Sequence, residues 1–195
     1  MRYRFPMARN DDRRRALADA GLEVLADTGA RGLTHRAVDR AAGVPVGTTT
    51  NYFRSRSALL TGLVERIYER LAPSDDFIAE RAGRTPTREL FAEYLRNIVE
   101  RLMANRTVTI ALIELRLEGI RRPEVAEIIV EWRRTGFAGD VAFNEQVGLP
   151  GTAREIALFH YAVDGLLLDQ LTGPLLPDVP VDDIVDALVD GLLPG

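Results

Sequence analysis

The chain has 195 residues, 46% of them hydrophobic, a formal net charge of −4 and no cysteine. Such a composition supplies a buried core for one large or two small domains and excludes disorder, while the missing thiols exclude a disulfide framework, a thiolate metal site and a cysteine nucleophile. The net charge conceals an asymmetry, because residues 1–66 carry 12 Arg against 7 acidic residues and the remainder carries 13 Arg against 22: a basic head on an acidic body.

Residues 1–9 hold three arginines and a proline without apolar periodicity, which predicts a flexible basic arm; Met1 and Met7 both stand as candidate starts. Asn10 or Asp11 then caps a first helix whose Leu17, Ala20, Gly21, Val24 and Leu25 form one stripe. Its end is expected near Thr28-Gly29. Thr34 caps a short second helix to about Ala42, Gly43 permits a tight turn, and Pro45 opens a third short helix to about Phe53. Ser55 caps a fourth, near 57–71, with Leu59, Leu60, Leu63, Val64 and Ile67 at helical spacing.

Downstream, helices are predicted near 75–82, 87–104, 107–120, 123–147, 152–171 and 181–193, separated by Gly83 to Pro86, Gly119 to Pro123, Gly148 to Gly151 and Gly173 to Pro180. No strand run, repeat or low-complexity tract is evident, so the fold class is all-α with about nine helices. The longest apolar runs are far too short to cross a bilayer core of about 30 Å, and no signal pattern opens the chain. A soluble cytoplasmic protein without membrane contact is expected.

Two short helices joined by a glycine-containing turn, with an apolar helix on each side, form a helix-turn-helix. The second of the pair enters the major groove of DNA, about 12 Å wide, and reaches base edges from its leading side chains. Here the sequence resembles the tetracycline-repressor (TetR) family. The residues that carry the resemblance are Leu33 to Val38, Ala41 to Thr48, Tyr52-Phe53, Arg56 and Leu59-Leu60, within residues 11–60.

The resemblance implies an N-terminal three-helix DNA-binding domain, residues 10–56, and a C-terminal ligand-binding and dimerisation domain, residues 57–195. It assigns DNA contacts to Thr34, Arg36, Pro45, Val46, Gly47, Thr48, Thr49, Asn51, Tyr52 and Arg56. Thr34 and Arg36 would meet the backbone or flanking bases, Thr48, Thr49, Asn51 and Tyr52 would face the groove, and Arg56 would hold a phosphate where relatives place a lysine. Thr50 departs from the family's usual tyrosine, so that aromatic contact is absent or passes to Tyr52. The implied partners are double-stranded operator DNA, a second copy of the chain and a small-molecule effector. The implied activity is repression relieved by the effector.

In the body, Phe91, Tyr94, Ile98, Leu102, Ile113, Leu117, Trp132 and Phe137 are candidates to line a ligand cavity, each also readable as plain core. Ile156, Phe159, His160, Val163, Leu167 and Leu188 give the last two helices more apolar surface than one stripe needs, which suggests a homodimer. Glu114 and Glu118 share a helical face, read as a solvated pair beside Arg121 and Arg122. His35 reads as a surface residue of the capping turn, and two histidines so far apart resemble no zinc signature. No metal and no cofactor are implied. The alternatives are a helical protein-interaction module with a degenerate helix-turn-helix and, less favoured, an enzyme, for which no phosphate loop, nucleophile elbow or dinucleotide glycine pattern is present.

Overall fold

The structure, a computed structural model, describes residues 7–194. Over residues 1–6 the expected basic arm lies outside them. Ten α-helices and no strand occur among the described residues: α1 Met7–Gly32, α2 His35–Ala41, α3 Thr48–Tyr52, α4 Arg56–Leu71, α5 Asp75–Arg81, α6 Arg88–Ala104, α7 Arg106–Arg121, α8 Pro123–Val147, α9 Ala153–Thr172 and α10 Val181–Leu192. None is long and apolar enough to cross a membrane.

Two helix starts differ from expectation. Helix α1 begins at Met7, ahead of the Asn10 cap, because Met, Ala and Arg are themselves good helix formers. Helix α3 begins at Thr48 rather than Pro45, since Gly47 adopts φ 93°, which keeps Pro45 to Gly47 in a turn. The predicted break at Gly29 is present as a kink inside α1, with φ 67°.

The described chain forms two compact units. One contains residues up to Leu71 together with Thr107–Trp132, and its core joins Leu17, Leu22 and Leu25 of α1 to Leu59, Leu63 and Ile67 of α4 and to Ala111 and Leu115 of α7. The unit that holds the helix-turn-helix also takes in α4, whose apolar stripe completes its core.

The other unit contains Ala72–Arg106 and Arg133–Gly195. Its core packs Leu90, Leu95 and Val99 of α6 with Val163 and Leu167 of α9 and Val185 and Val189 of α10. Aromatic pairs reinforce it, with Phe91 4.9 Å from Phe159 and Tyr94 5.1 Å from Phe143, ring to ring. Side chains close its helix ends: Thr152 and Glu155 form a capping box on α9, and the Arg88 guanidinium of α6 donates to the carbonyls of Val189 and Pro194 at the end of α10.

Candidate nucleic-acid interface

A helix of seven residues and one of five have too few internal hydrogen bonds to persist alone, so α2 and α3 depend on side chains that tie them together. Thr34 caps α2, its hydroxyl accepting from the Ala37 N–H at 3.1 Å. The buried Asp39 carboxylate reaches across the turn. One oxygen accepts from the Gly47 N–H at 2.7 Å, and the other from the Thr49 N–H at 2.7 Å and the Thr49 hydroxyl at 2.6 Å. Burial pushes the Asp39 carboxyl up, but the bonds from Thr49 and Gly47 outweigh it and hold the group below its ordinary value.

The end of α3 is fixed from two sides. His35 Nε2 lies 2.7 Å from the Phe53 carbonyl oxygen, which can only accept, so this nitrogen carries the proton. Arg14 of α1 donates to the Tyr52 carbonyl, pairs with Glu65 at 3.0 Å and lies 4.6 Å above the Phe53 ring. Phe53 itself is fully buried. Gly62 of α4 makes room for it, because a Cβ there would fall 2.3 Å from the ring.

On this frame the expected DNA contacts separate into two groups. Thr34, Arg36, Pro45, Val46 and Asn51 are exposed, Val46 to 78%, and Gly47, Thr48 and Tyr52 are half-buried. Thr49 and Arg56 are placed otherwise. Thr49 is 0% exposed and bonded to Asp39, so it turns away from the groove side. Arg56 donates to the carbonyls of Leu33 at 2.6 Å and Ala30 at 2.8 Å, closing the end of α1 where a phosphate had been expected.

Asp39, Arg40 and Arg54 carried no role in the sequence, and Thr50 only the loss of an aromatic contact. A step of 100° per residue carries Thr50 and Asn51 to the outer side once Thr49 is inside, and both are exposed. Arg36, Arg40 and Arg54 are exposed and, among the described residues, their side chains have no hydrogen bond or ion pair. Of the Arg13 to Arg15 run, Arg14 and Arg15 pair with Glu65 and Glu69 of α4. An open recess of about 420 Å³, lined by Asn10, Asp11, Arg14, Asn51 and Tyr52, adjoins the exposed side of α3.

The ligand candidates divide between the units. Ile113, Leu117 and Trp132 belong to the first, where Leu117 is exposed and the Trp132 indole N–H is buried without a hydrogen-bond partner. Phe91, Tyr94, Ile98, Leu102 and Phe137 belong to the second, where Phe91, Tyr94 and Leu102 pack in the core, Ile98 is half-buried and Phe137 meets His160 edge-on. A small open recess of about 140 Å³ is lined by Arg133, Phe137, Ala157, His160 and Tyr161, well below the roughly 300 Å³ at which ligand pockets usually start. Glu118 is 5% exposed and paired with Arg122 at 2.5 Å, so the reading of a solvated Glu114 and Glu118 pair is corrected for Glu118.

The dimer candidates are mostly covered by their own chain. Ile156, Phe159, Val163 and Leu167 are buried and Leu188 packs on the second core, while His160 bonds Asp140 at 3.0 Å. The outward face of α9 instead presents Tyr161, 64% exposed, Gly165 and Leu168, 51% exposed.

Residues 86–195 match the family model for the tetracyclin repressor-like C-terminal domain, and residues 17–63 match that for bacterial regulatory proteins of the tetR family. A curated relative, the HTH-type transcriptional regulator BetI of Rhizobium meliloti (strain 1021), is 30% identical over 122 residues, 63% of this chain. The match spans 59% of that relative's length. Among solved structures, a TetR family member from Streptomyces coelicolor A3 shares the fold with a TM-score of 0.72 at 24% identity, over 94% of this chain and 99% of the other. The multidrug binding protein EbrR complexed with ethidium gives 0.66 at 26% identity, over 94% and 99% of the two chains. Its proflavin complex gives 0.58 at 25% identity, over 92% and 99%.

Proposed function

The chain belongs to the tetracycline-repressor family of bacterial transcriptional regulators, and we propose that it acts in the cytoplasm as a dimeric repressor, released from a palindromic operator by a small molecule. The carrying observation is the exposed side of α2 and α3. Val46, Thr50 and Asn51 are free to meet base edges, and Arg36, Arg40 and Arg54 are uncommitted cations that can neutralise phosphates. Half to two-thirds of the bonds in such interfaces go to phosphate and sugar, so unpaired arginines beside a recognition helix are the required complement. The activity assigned is binding, with no chemistry performed on the partner.

Pairing is supported by the outward apolar face of α9 around Tyr161 and Leu168. Two recognition helices about 34–36 Å apart would then read two half-sites one duplex turn apart. An effector is supported by the ethidium and proflavin complexes of the structural neighbour EbrR. It releases DNA only if it binds the non-DNA conformation more tightly.

The test is selection of bound duplexes from fragmented genomic DNA by the purified chain, followed by titration of the best site at two salt concentrations. A near-palindromic site holding two chains, and bound at least about 10³-fold more tightly than random duplex, is the expected result. Sequence-blind binding would overturn the reading and favour a helix-turn-helix retained in a protein-interaction module.

A further inference from the structure

We propose that Asp39 is the positioning residue for base recognition: its buried carboxylate sets the rotation of α3 and thereby decides which side chains meet the DNA. The inference rests on reading α2 and α3 as the DNA-binding pair, and it deepens that reading.

The need for such a residue follows from α3 itself. It has five residues, its N-cap is Gly47, and no side chain of its own caps its first turn. Glycine at an N-cap contributes no acceptor. Asp39, ten residues before Thr49, supplies the missing oxygen by accepting the Thr49 N–H, and it also holds the Gly47 N–H of the turn. A carboxylate at that end further complements the positive pole of the short helix.

Backbone bonds alone would fix where α3 starts but not how it is turned about its axis. The third bond does that, because the Thr49 hydroxyl donates to the same carboxylate and both groups are buried. With Thr49 fixed inward, Asn51 lies about 200° round the helix, facing out, with Thr50 between them. Among the described residues, the one other side-chain hydrogen bond at the start of α3 runs from the Thr48 hydroxyl to the Pro45 carbonyl at 2.6 Å and stays within the turn itself. Of the two side chains of α2 that hold α3, His35 meets a main-chain carbonyl past its end, so the rotation of its first turn is assigned to the Asp39 carboxylate.

Loss of this restraint has a signature that simple destabilisation lacks. Asp39→Asn removes a negative charge from the head and replaces one acceptor oxygen with a donor facing other donors, so α3 loses its orientation while attraction to phosphate is undiminished. The measurement is affinity for the selected operator and for random duplex, at one salt concentration and a temperature where each variant is fully folded. Asp39→Asn is expected to weaken operator binding about tenfold or more while random-duplex binding stays level or tightens. The milder Thr49→Val shifts the ratio in the same direction, and Thr49→Ser, which retains the hydroxyl, recovers it. An unchanged ratio of operator to random binding in both Asp39→Asn and Thr49→Val would overturn the assignment.

If the unmodified chain selects no site, the DNA-binding reading fails while the restraint is still measured. In the protein without DNA, Asp39→Asn is expected to speed amide exchange at Gly47 and Thr49 relative to amides of α4. Equal protection at those two amides would remove Asp39 as the residue that holds α3.

Discussion

The helix-turn-helix and the second compact unit hold their helices by opposite means. In the first, α2 and α3 are too short to bury much surface, so polar side chains from residues distant in sequence do the holding: Asp39 on α3, His35 and Arg14 on its last carbonyls, Arg56 on the end of α1. In the second, α6, α9 and α10 are long enough to rely on apolar stripes and on the Phe91 and Phe159 ring pair. Directional bonds fix orientation, which a reading surface needs, whereas apolar stripes chiefly fix proximity.

The largest expected effects probe what the two regions share. Phe53→Ala and Phe159→Ala each empty a buried ring site, and each is expected to cost about 3–5 kcal/mol by chemical denaturation. Their consequences should part at the DNA. In the fraction still folded, Phe53→Ala loses operator affinity because α3 ends on that residue, while Phe159→Ala keeps the unmodified salt slope. Equal damage to DNA binding by both would break the contrast.

Arg56→Ala comes next. It leaves the carbonyls of Ala30 and Leu33 without their donor, so a loss of about 1–3 kcal/mol in stability is expected. The salt dependence of DNA binding should not change. A slope shallower by about one unit, with stability intact, would return Arg56 to the phosphate set.

What the sequence disclosed of these regions follows the range of each interaction. The Thr34 and Ser55 caps, the Gly43 turn and the breaks at Gly83, Gly148 and Gly173 were legible, because each depends on neighbours within a few residues. The bonds of Thr49 to Asp39 and of Arg56 to Leu33 and Ala30 were not legible, because those partners lie 10 and 23–26 residues away. For α9, helical spacing identified an apolar side around Phe159 and Val163 but not what covers it, which proves to be the chain's own α6 and α10. Glu118 was hidden for the same reason: a polar residue on a helix is assigned to solvent unless the neighbouring helix is known.

Acid should reveal the Asp39 bonds with a smaller effect. Its folded value lies below the ordinary 3.8, so the unfolded chain takes up the proton first. The stabilisation is complete above about pH 5, declines once the unfolded carboxyl takes up protons and is lost as the pH falls through the folded value. Melting temperatures measured from about pH 5 down to about pH 2.5 are therefore expected to fall less steeply in Asp39→Asn than in the unmodified chain. Parallel curves would mean that the carboxylate is not held in its charged form.

The smallest effect on stability belongs to the arginines with no partner. Arg36→Ala and Arg54→Ala remove exposed side chains that make no described hydrogen bond or ion pair, so stability is expected to stay within about 0.5 kcal/mol. On DNA each should weaken operator and random duplex alike and shallow the plot of log affinity against log salt by about 0.9 unit per phosphate lost. The pairing with Arg56 is the discriminating step: of two classes of arginine in one head, the bonded class should move stability and leave the slope alone, and the free class should do the reverse. If Arg36→Ala and Arg54→Ala both leave the slope unchanged, the phosphates are met elsewhere, and exposure without a partner is no guide to the DNA-facing side of this head.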